Sequence, residues 1–159
     1  MKKIVVLAIF AIFVVGCGVN RSSIPLNKNA FTQRNVFSIS ETLNLPYAKA
    51  NLKNLDKARL EFATNSQNKK IIRSDVKVQK YVTADVAAGR EGEQIIDVCT
   101  EAFVAIIQRY INESIKRNVD IVNISSNWRG NKESLSDEFV CMSSKGSVGI
   151  MMSADFAEK

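Results

Sequence analysis

Two rhythms divide the chain. In "ARLEFAT", Leu60 and Phe62 face one way and Arg59 and Glu61 the other, the two-residue period of a half-buried strand. The polar run Asn65 to Lys70 predicts a turn or loop, after which "VKVQKYVT" resumes the alternation with Val76, Val78 and Val82 on one face. A hairpin is the simplest connection between these two strands. "TADVAAGREGE" then breaks the pattern with two glycines, and the period lengthens. From Glu91 to Asn118, apolar residues fall at Ile95, Ile96, Cys99, Ala102, Phe103, Ile106, Ile107, Tyr110, Ile111 and Ile115. That stripe, close to the helical period, predicts one long amphipathic helix. Glu91 and Glu93 near its start and Lys116 and Arg117 near its end complement the helix dipole. Arg109 and Glu113 are spaced for a weak ion pair, and Asn118 is placed to close the helix.

Three further strand signals follow. "VDIVNISSNW" places Val122 and Ile124 on one face, "EFVCMSS" puts Phe139 and Cys141 together, and "SVGIMMSADF" aligns Val148, Ile150, Met152 and Ala154. Between the first two, Gly130 to Asp137 is polar and loop-like. Upstream, Val36 to Ile39 marks the start of ordered structure, and Pro46 suits the first turn of a short helix reaching Leu55, with Ala48, Leu52 and Leu55 on one stripe. The segment Gly18 to Asn35 is polar and aperiodic; it is either a tether or a peptide packing back through Ile24, Leu26 and Phe31. The expected fold class is α+β: an antiparallel sheet of about four to five strands, one long helix packed on one face, and a short N-terminal helix.

At the amino end, Lys2 and Lys3 precede an unbroken apolar run from Ile4 to Val15, and the small Gly16 precedes Cys17. This is the layout of a secretory signal. The run is too short to span about 30 Å of hydrocarbon, which takes about 20 residues. Val14-Val15-Gly16-Cys17 resembles a bacterial lipobox. The resemblance implies cleavage between Gly16 and Cys17, diacylglycerol attachment to the Cys17 sulfur and acylation of the new amino terminus; the alternative is an ordinary signal peptide with an incidental cysteine. One acyl chain binds a bilayer only marginally, whereas two or three hold a protein stably. By analogy with enterobacterial sorting, Gly18 rather than Asp after the cysteine implies the outer membrane, inner leaflet, facing the periplasm. The expected organisation is a leader over 1–16, a lipidated tether over 17–35 and one α+β domain over 36–159.

Composition narrows the chemistry. The 159 residues carry a formal net charge of +6, part of it Lys2 and Lys3 in the leader, and no Lys/Arg block is dense enough to imply nucleic acid. The residual cation excess fits either a solvated surface or attraction to anionic headgroups. There is no histidine, which removes the commonest general base, the commonest metal ligand and every Ser–His or Cys–His nucleophile pair. Two cysteines distant in sequence make a poor zinc site; no metal or cofactor is expected. Asp97 and Glu101, one helical turn apart, and Asp137 and Glu138 at a strand start are the carboxylates available for acid–base work. A solvated helix face and a loop end explain them more simply.

Lipidation consumes Cys17, leaving Cys99 and Cys141. Export places them in an oxidising compartment, where paired cysteines normally bridge. Cys99 lies on the apolar helix stripe and Cys141 shares a strand face with Phe139, so both should look into one helix–sheet interface. A Cys99–Cys141 disulfide is therefore expected, against the alternative of two reduced, buried thiols.

The carboxyl half, "CTEAFVAIIQRYINESIKRNVDIVNISS" followed by "EFVCMSSKGSVGIMMSADF", resembles small exported bacterial proteins often mislabelled as excinuclease subunits. Cys99, Asn118 to Val122, Phe139-Val140-Cys141 and Val148-Gly149-Ile150 stand where those proteins carry an early helix cysteine, an aliphatic strand, a "YEC" strand and a final glycine-containing strand. The similarity extends distantly to the domain shared by YbjQ-type and RcsF-type proteins, although the four-cysteine arrangement of the latter is absent. It implies a shared fold and gives no support to a DNA-repair role, since no phosphate-binding Gly-rich Lys-Ser/Thr loop is present.

The expected function is a non-enzymatic binding or sensing module held at the envelope, anchored in membrane lipid through Cys17 and meeting an envelope protein partner. Trp128, Arg129 and Lys132 form the aromatic–basic cluster best suited to such contact; the alternative is that Trp128 caps the edge of the core. A structural lipoprotein without a specific ligand is the second reading, and an enzyme of unrecognised type the third.

Overall fold

The computed structural model describes residues 33–62, 68–83, 95–133, 137–144 and 147–159. The leader, Gly16, Cys17, the tether as far as residue 32, Glu91 and Glu93 lie outside them. In chain order the elements are β1 (Gln33–Ser38), α1 (Ile39–Asn44), α2 (Pro46–Asn51), a 3₁₀ turn (Leu55–Lys57), β2 (Leu60–Phe62), β3 (Ile71–Thr83), α3 (Ile95–Arg117), β4 (Val119–Trp128), β5 (Asn131–Glu133), β6 (Glu138–Ser144) and β7 (Ser147–Glu158). They make a mixed fold of three α-helices and a curled, mainly antiparallel sheet.

β7 organises the sheet. Its alternation holds throughout, with Val148, Ile150, Met152, Ala154 and Phe156 all buried in the core. Along one edge it pairs with β3, from Val82 opposite Val148 to Ile71 opposite Ala157. Its other edge is shared: β6 pairs at the start, Met142 opposite Gly149, and β4 farther on, from Ser126 opposite Met152 to Val119 opposite Glu158. Two strands on one edge must diverge, which curls the sheet.

β1 closes the sheet beside β6. Gln33, Arg34 and Asn35, assigned to the tether for their polarity, instead pair with Ser143, Met142 and Cys141. An edge strand tolerates such side chains because one of its sides faces water. The expected β2–β3 hairpin does not form. β2 runs parallel to β4, Leu60 opposite Ile121, while β3 lies two strands away on the far side of β7. Periodicity sets which face a strand buries, not which strand it neighbours. A parallel neighbour requires a long crossover, here supplied by β3 and α3. β5 lies inside the stretch read as loop, and the short helix expected from Pro46 to Leu55 stops at Asn51, preceded by α1.

α3 buries Cys99, Ala102, Phe103, Ile106, Ile107, Tyr110 and Ile111, and contacts β3, β4 and β7. Ile95 and Ile115, the ends of the predicted stripe, are exposed. Phe103 stacks on Phe139 of β6 with centroids 4.3 Å apart, and Tyr110 Oη donates to the Val76 carbonyl at 3.1 Å. Cys99 and Cys141 are bonded, with Cα atoms 6.0 Å apart and both side chains fully buried. Glu113 pairs with Arg117 rather than Arg109, the acid-before-base order favoured at this spacing. Asn118, at φ +54°, ends the helix in the left-handed conformation common at such positions.

One misread strand has an instructive cause. Val122 and Ile124 do not share a face: Ile121 and Ile124 join the core, while Val122 lies opposite Asp155. Asn123, at φ +54°, is the extra residue of a bulge that shifts the alternation by one. β3 carries a second bulge at Ser74 and Asp75, with Asp75 at φ +53°. The two flank Asp155 of β7, whose carboxylate accepts from the Asp75 backbone N–H at 2.9 Å and from Asn123 Nδ2 at 2.8 Å. A single side chain thus ties both bulges across three strands.

Candidate partner-binding surface

The β4–β5 hairpin carries Trp128, Arg129 and Lys132, but its register sets Trp128 opposite Asn131 and Lys132 opposite Asn127, so Lys132 leaves the face away from Trp128. Arg129 and Gly130 take φ +54° and +89°, and Trp128 pairs with Asn131 across them. Positive φ at both central residues is the two-residue turn whose twist matches that of the flanking strands. Arg129 and Lys132 are exposed, and Trp128 is half-buried.

The indole meets Tyr81 edge-on, with centroids 6.4 Å apart and planes at 73°. Both rings lie over Gly149, which is paired with Tyr81 in the β3–β7 register. A Cβ at Gly149 would stand 2.7 Å from Tyr81 Cδ1 and 3.2 Å from Trp128 Cη2, so only glycine leaves room for the aromatic pair. Met142 is also opposite Gly149, and Met151 follows on the same face; both are half-buried. Aromatic and thioether side chains therefore form an apolar patch on the face of β7 opposite Ile150 and Met152. Burial pushes the Tyr81 phenol above its ordinary value, and the Arg129 charge pulls it partly back. Arg34 of β1 reaches Glu133 of β5 at 2.5 Å and pins the hairpin across the sheet. The surface thus combines an aromatic patch with the exposed Arg129 on the adjoining turn, residue types that often anchor protein contacts.

The remaining residues singled out from sequence lie elsewhere. Cys99 and Cys141 join helix to sheet. Asp137 caps α1: its carboxylate accepts from Ser38 Oγ at 2.8 Å, from Ser40 Oγ at 2.7 Å and from the Ser40 N–H at 3.0 Å. The Ser40 and Ser38 hydrogen bonds hold this carboxyl below the usual carboxylate value. Glu138 pairs with Ser38 in the β1–β6 register, while Asp97 and Glu101 stand on the first turns of α3. Among the described residues, no three Cys, Asp or Glu side chains converge as metal ligands would.

Sequence reasoning missed a second charged cluster. Asp120, almost fully buried, and Glu61 share Lys69 Nζ at 2.8 and 2.6 Å, and Arg59 reaches Glu61 at 3.1 Å. Burial pulls the Lys69 ammonium down, but the hydrogen bonds and charges of Asp120 and Glu61 outweigh it and hold it above its ordinary value. With both carboxylates shared between Lys69 and Arg59, the cluster clamps β2 to β4. Tyr81 and Gly149 were also missed, because their contact exists only once β3 and β7 pair. Comparison with protein-family models, curated proteins and solved structures gives no match to this chain.

Proposed function

We propose that the chain is a lipid-anchored envelope protein of the bacterial outer membrane, non-enzymatic, whose domain binds an envelope protein partner. The observation that carries the reading is the Tyr81–Trp128 pair seated over Gly149, with Arg129 exposed on the adjoining turn and Lys132 exposed on β5. Buried aromatic anchors rimmed by cations dominate the energetics of many protein contacts. In this reading α3 covers one face of the sheet and the other face is presented to the partner. The motif at Cys17 supports the anchor, and the pairing of Cys99 with Cys141 is consistent with an oxidising compartment. The kinship with small exported bacterial proteins and with YbjQ-type and RcsF-type domains belongs to the same proposal.

Crosslinking in cells followed by capture tests it. A single stoichiometric partner, lost in Trp128→Ala and Lys132→Glu while cooperative unfolding is retained, supports the reading. Capture of peptidoglycan or abundant barrel proteins, unaffected by either substitution, replaces it with a structural role. Separately, a Cys17→Ala protein that stays acylated and membrane-bound would remove the anchor from the proposal.

A further inference from the structure

A second surface, on the opposite side of β3 from the aromatic patch, has the composition of an anion site. A cleft of about 280 Å³ opens between the carboxyl half of α3 and the bulged part of β3. Its charged lining is Arg73, Asp75, Lys77, Arg109, Glu113 and Arg117. Two features of the fold assemble it. On α3, Arg109, Glu113 and Arg117 are spaced four apart and so form one stripe. On β3, Arg73 pairs with Phe156, a core residue, which puts it on the core-facing side; the Ser74–Asp75 bulge follows it along the cleft wall.

The charges do not cancel. Asp75 binds Lys77 at 3.1 Å and Glu113 binds Arg117, neutralising one cation each. Arg73 and Arg109, both exposed, make no ion pair or hydrogen bond among the described residues. Two guanidiniums therefore line one cleft without a direct ion-pair partner, Arg109 being offset only by the longer-range charge of Glu113, so both forks stay available to an anion. Each guanidinium offers five N–H donors in a planar fork. Together they exceed what a carboxylate's two oxygens can accept, but they suit a tetrahedral oxyanion with three free oxygens. A net lining charge of +2, from four cations and two anions, matches the charge of about −1.5 to −2 that a phosphate monoester carries near neutral pH. The Ser74 hydroxyl adds a neutral donor at the mouth.

We propose that this cleft binds a phosphate monoester, held between Arg73 and Arg109. The group comes either from a small soluble phosphate ester or from a monoester lipid headgroup. The site is independent of the partner surface: it lies on other elements, and its failure would leave the role of Trp128 untouched.

The test is calorimetric titration of the full chain in uncharged detergent micelles. The probes are inorganic phosphate, glycerol 3-phosphate and sodium acetate, with phosphatidic acid or phosphatidylcholine mixed into the micelles in separate arms. Saturable binding of phosphate or glycerol 3-phosphate at about 1 mM or tighter, weakened at least about tenfold in both Arg73→Gln and Arg109→Gln, is the expected result for a soluble source. The same losses seen with phosphatidic acid but with neither soluble phosphate assign the site to a headgroup. Lys132→Gln, on the other surface, is expected to bind as the parent does. Thermal unfolding of each variant separates loss of the site from loss of the fold, and Arg109→Lys, which keeps the charge but not the fork, provides a milder variant. Acetate binding as tightly as phosphate, binding unchanged in both glutamine variants, or no binding of any phosphate probe would overturn the proposal.

Discussion

The two faces of β7 are built from opposite chemistry. On one face the strand presents Val148, Ile150, Met152, Ala154 and Phe156, all buried and all apolar, within a cluster that includes the Cys99–Cys141 bridge and the Phe103–Phe139 stack. On its other face come Gly149, Met151, Ser153, Asp155 and Ala157, with Gly149, Ser153 and Ala157 fully covered. Ser125 and Asn127 of β4 are buried beside them, and Ser125 Oγ, Asn127 Oδ1 and Ser153 Oγ have no hydrogen-bond partner among the described residues. The first face is held by contact area, which is tolerant of geometry. The second is held by small side chains and a few placed hydrogen bonds, which are not. Stability and shape are thus assigned to different sides of one strand, and the side that carries shape also carries the aromatic pair.

The largest expected effect falls on the apolar side. Replacing both Cys99 and Cys141 by Ala reopens a loop with a sequence separation of 42. In the chain-entropy model that removes about 4 kcal/mol, an upper figure, readable as a fall in the denaturation midpoint. A change below about 1 kcal/mol would show that packing alone holds helix to sheet and would weaken the contrast. Next, on the polar side, Asp155→Ala is expected to cost about 1–2 kcal/mol, because the Asp75 backbone N–H at one bulge and the Asn123 amide at the other lose a charged acceptor. Amide hydrogen exchange should show the loss centred on Asp75 and Asn123. Protection lost evenly across the sheet would mean that Asp155 does not act through the bulges.

Ser153→Ala sharpens the contrast in the opposite direction. Its hydroxyl is buried without a described partner, so deleting it is expected to leave stability unchanged or raise it by up to about 1 kcal/mol. The neighbouring Met152→Ala, on the apolar face, should cost several times more in the same unfolding assay. The smallest effect concerns Asp137, which belongs to neither face. Its folded carboxyl lies below its ordinary value, so its contribution is present above that value and is lost as pH falls through the folded one. Acid titration of the α1 amides should show local loosening in that window, and Asp137→Asn should abolish the dependence.

How much of this was legible along the chain depends on whether a residue's role is local. The β7 alternation and most of the α3 stripe are local, and Val148 to Ala154 and Cys99 to Ile111 lie buried where their spacing puts them. Ile95 and Ile115 escaped because periodicity sets the direction of a stripe but not where the sheet beneath it ends. Val122 was misassigned because one left-handed residue, Asn123, shifts parity for everything after it. A signal existed, since Asn and Asp adopt positive φ far more readily than most residues, and Asn54, Asp75, Asn118 and Asn123 all do so here. The hairpin carrying Trp128, Arg129 and Lys132 is contiguous and could be singled out from sequence. Tyr81 over Gly149, Lys69 between Glu61 and Asp120, and Arg73 facing Arg109 each join distant segments, and no spacing rule reaches them.

That β7 pairs with β3, β4 and β6 also fixes an order of events. A chain is made amino end first, so β3 and β4 wait for residues 147–158 before their main partner exists. Until then β3 and β4 have no common neighbour, and the apolar stripe of α3 lacks one of the three strands it contacts. Such dependence on non-local pairing is the topology that folds slowly, on the millisecond-to-second scale, rather than in microseconds. For a protein secreted as proposed, the delay is useful. In that reading the chain would cross the inner membrane with its sheet still incomplete, since β3 and β4 would join only through the last strand.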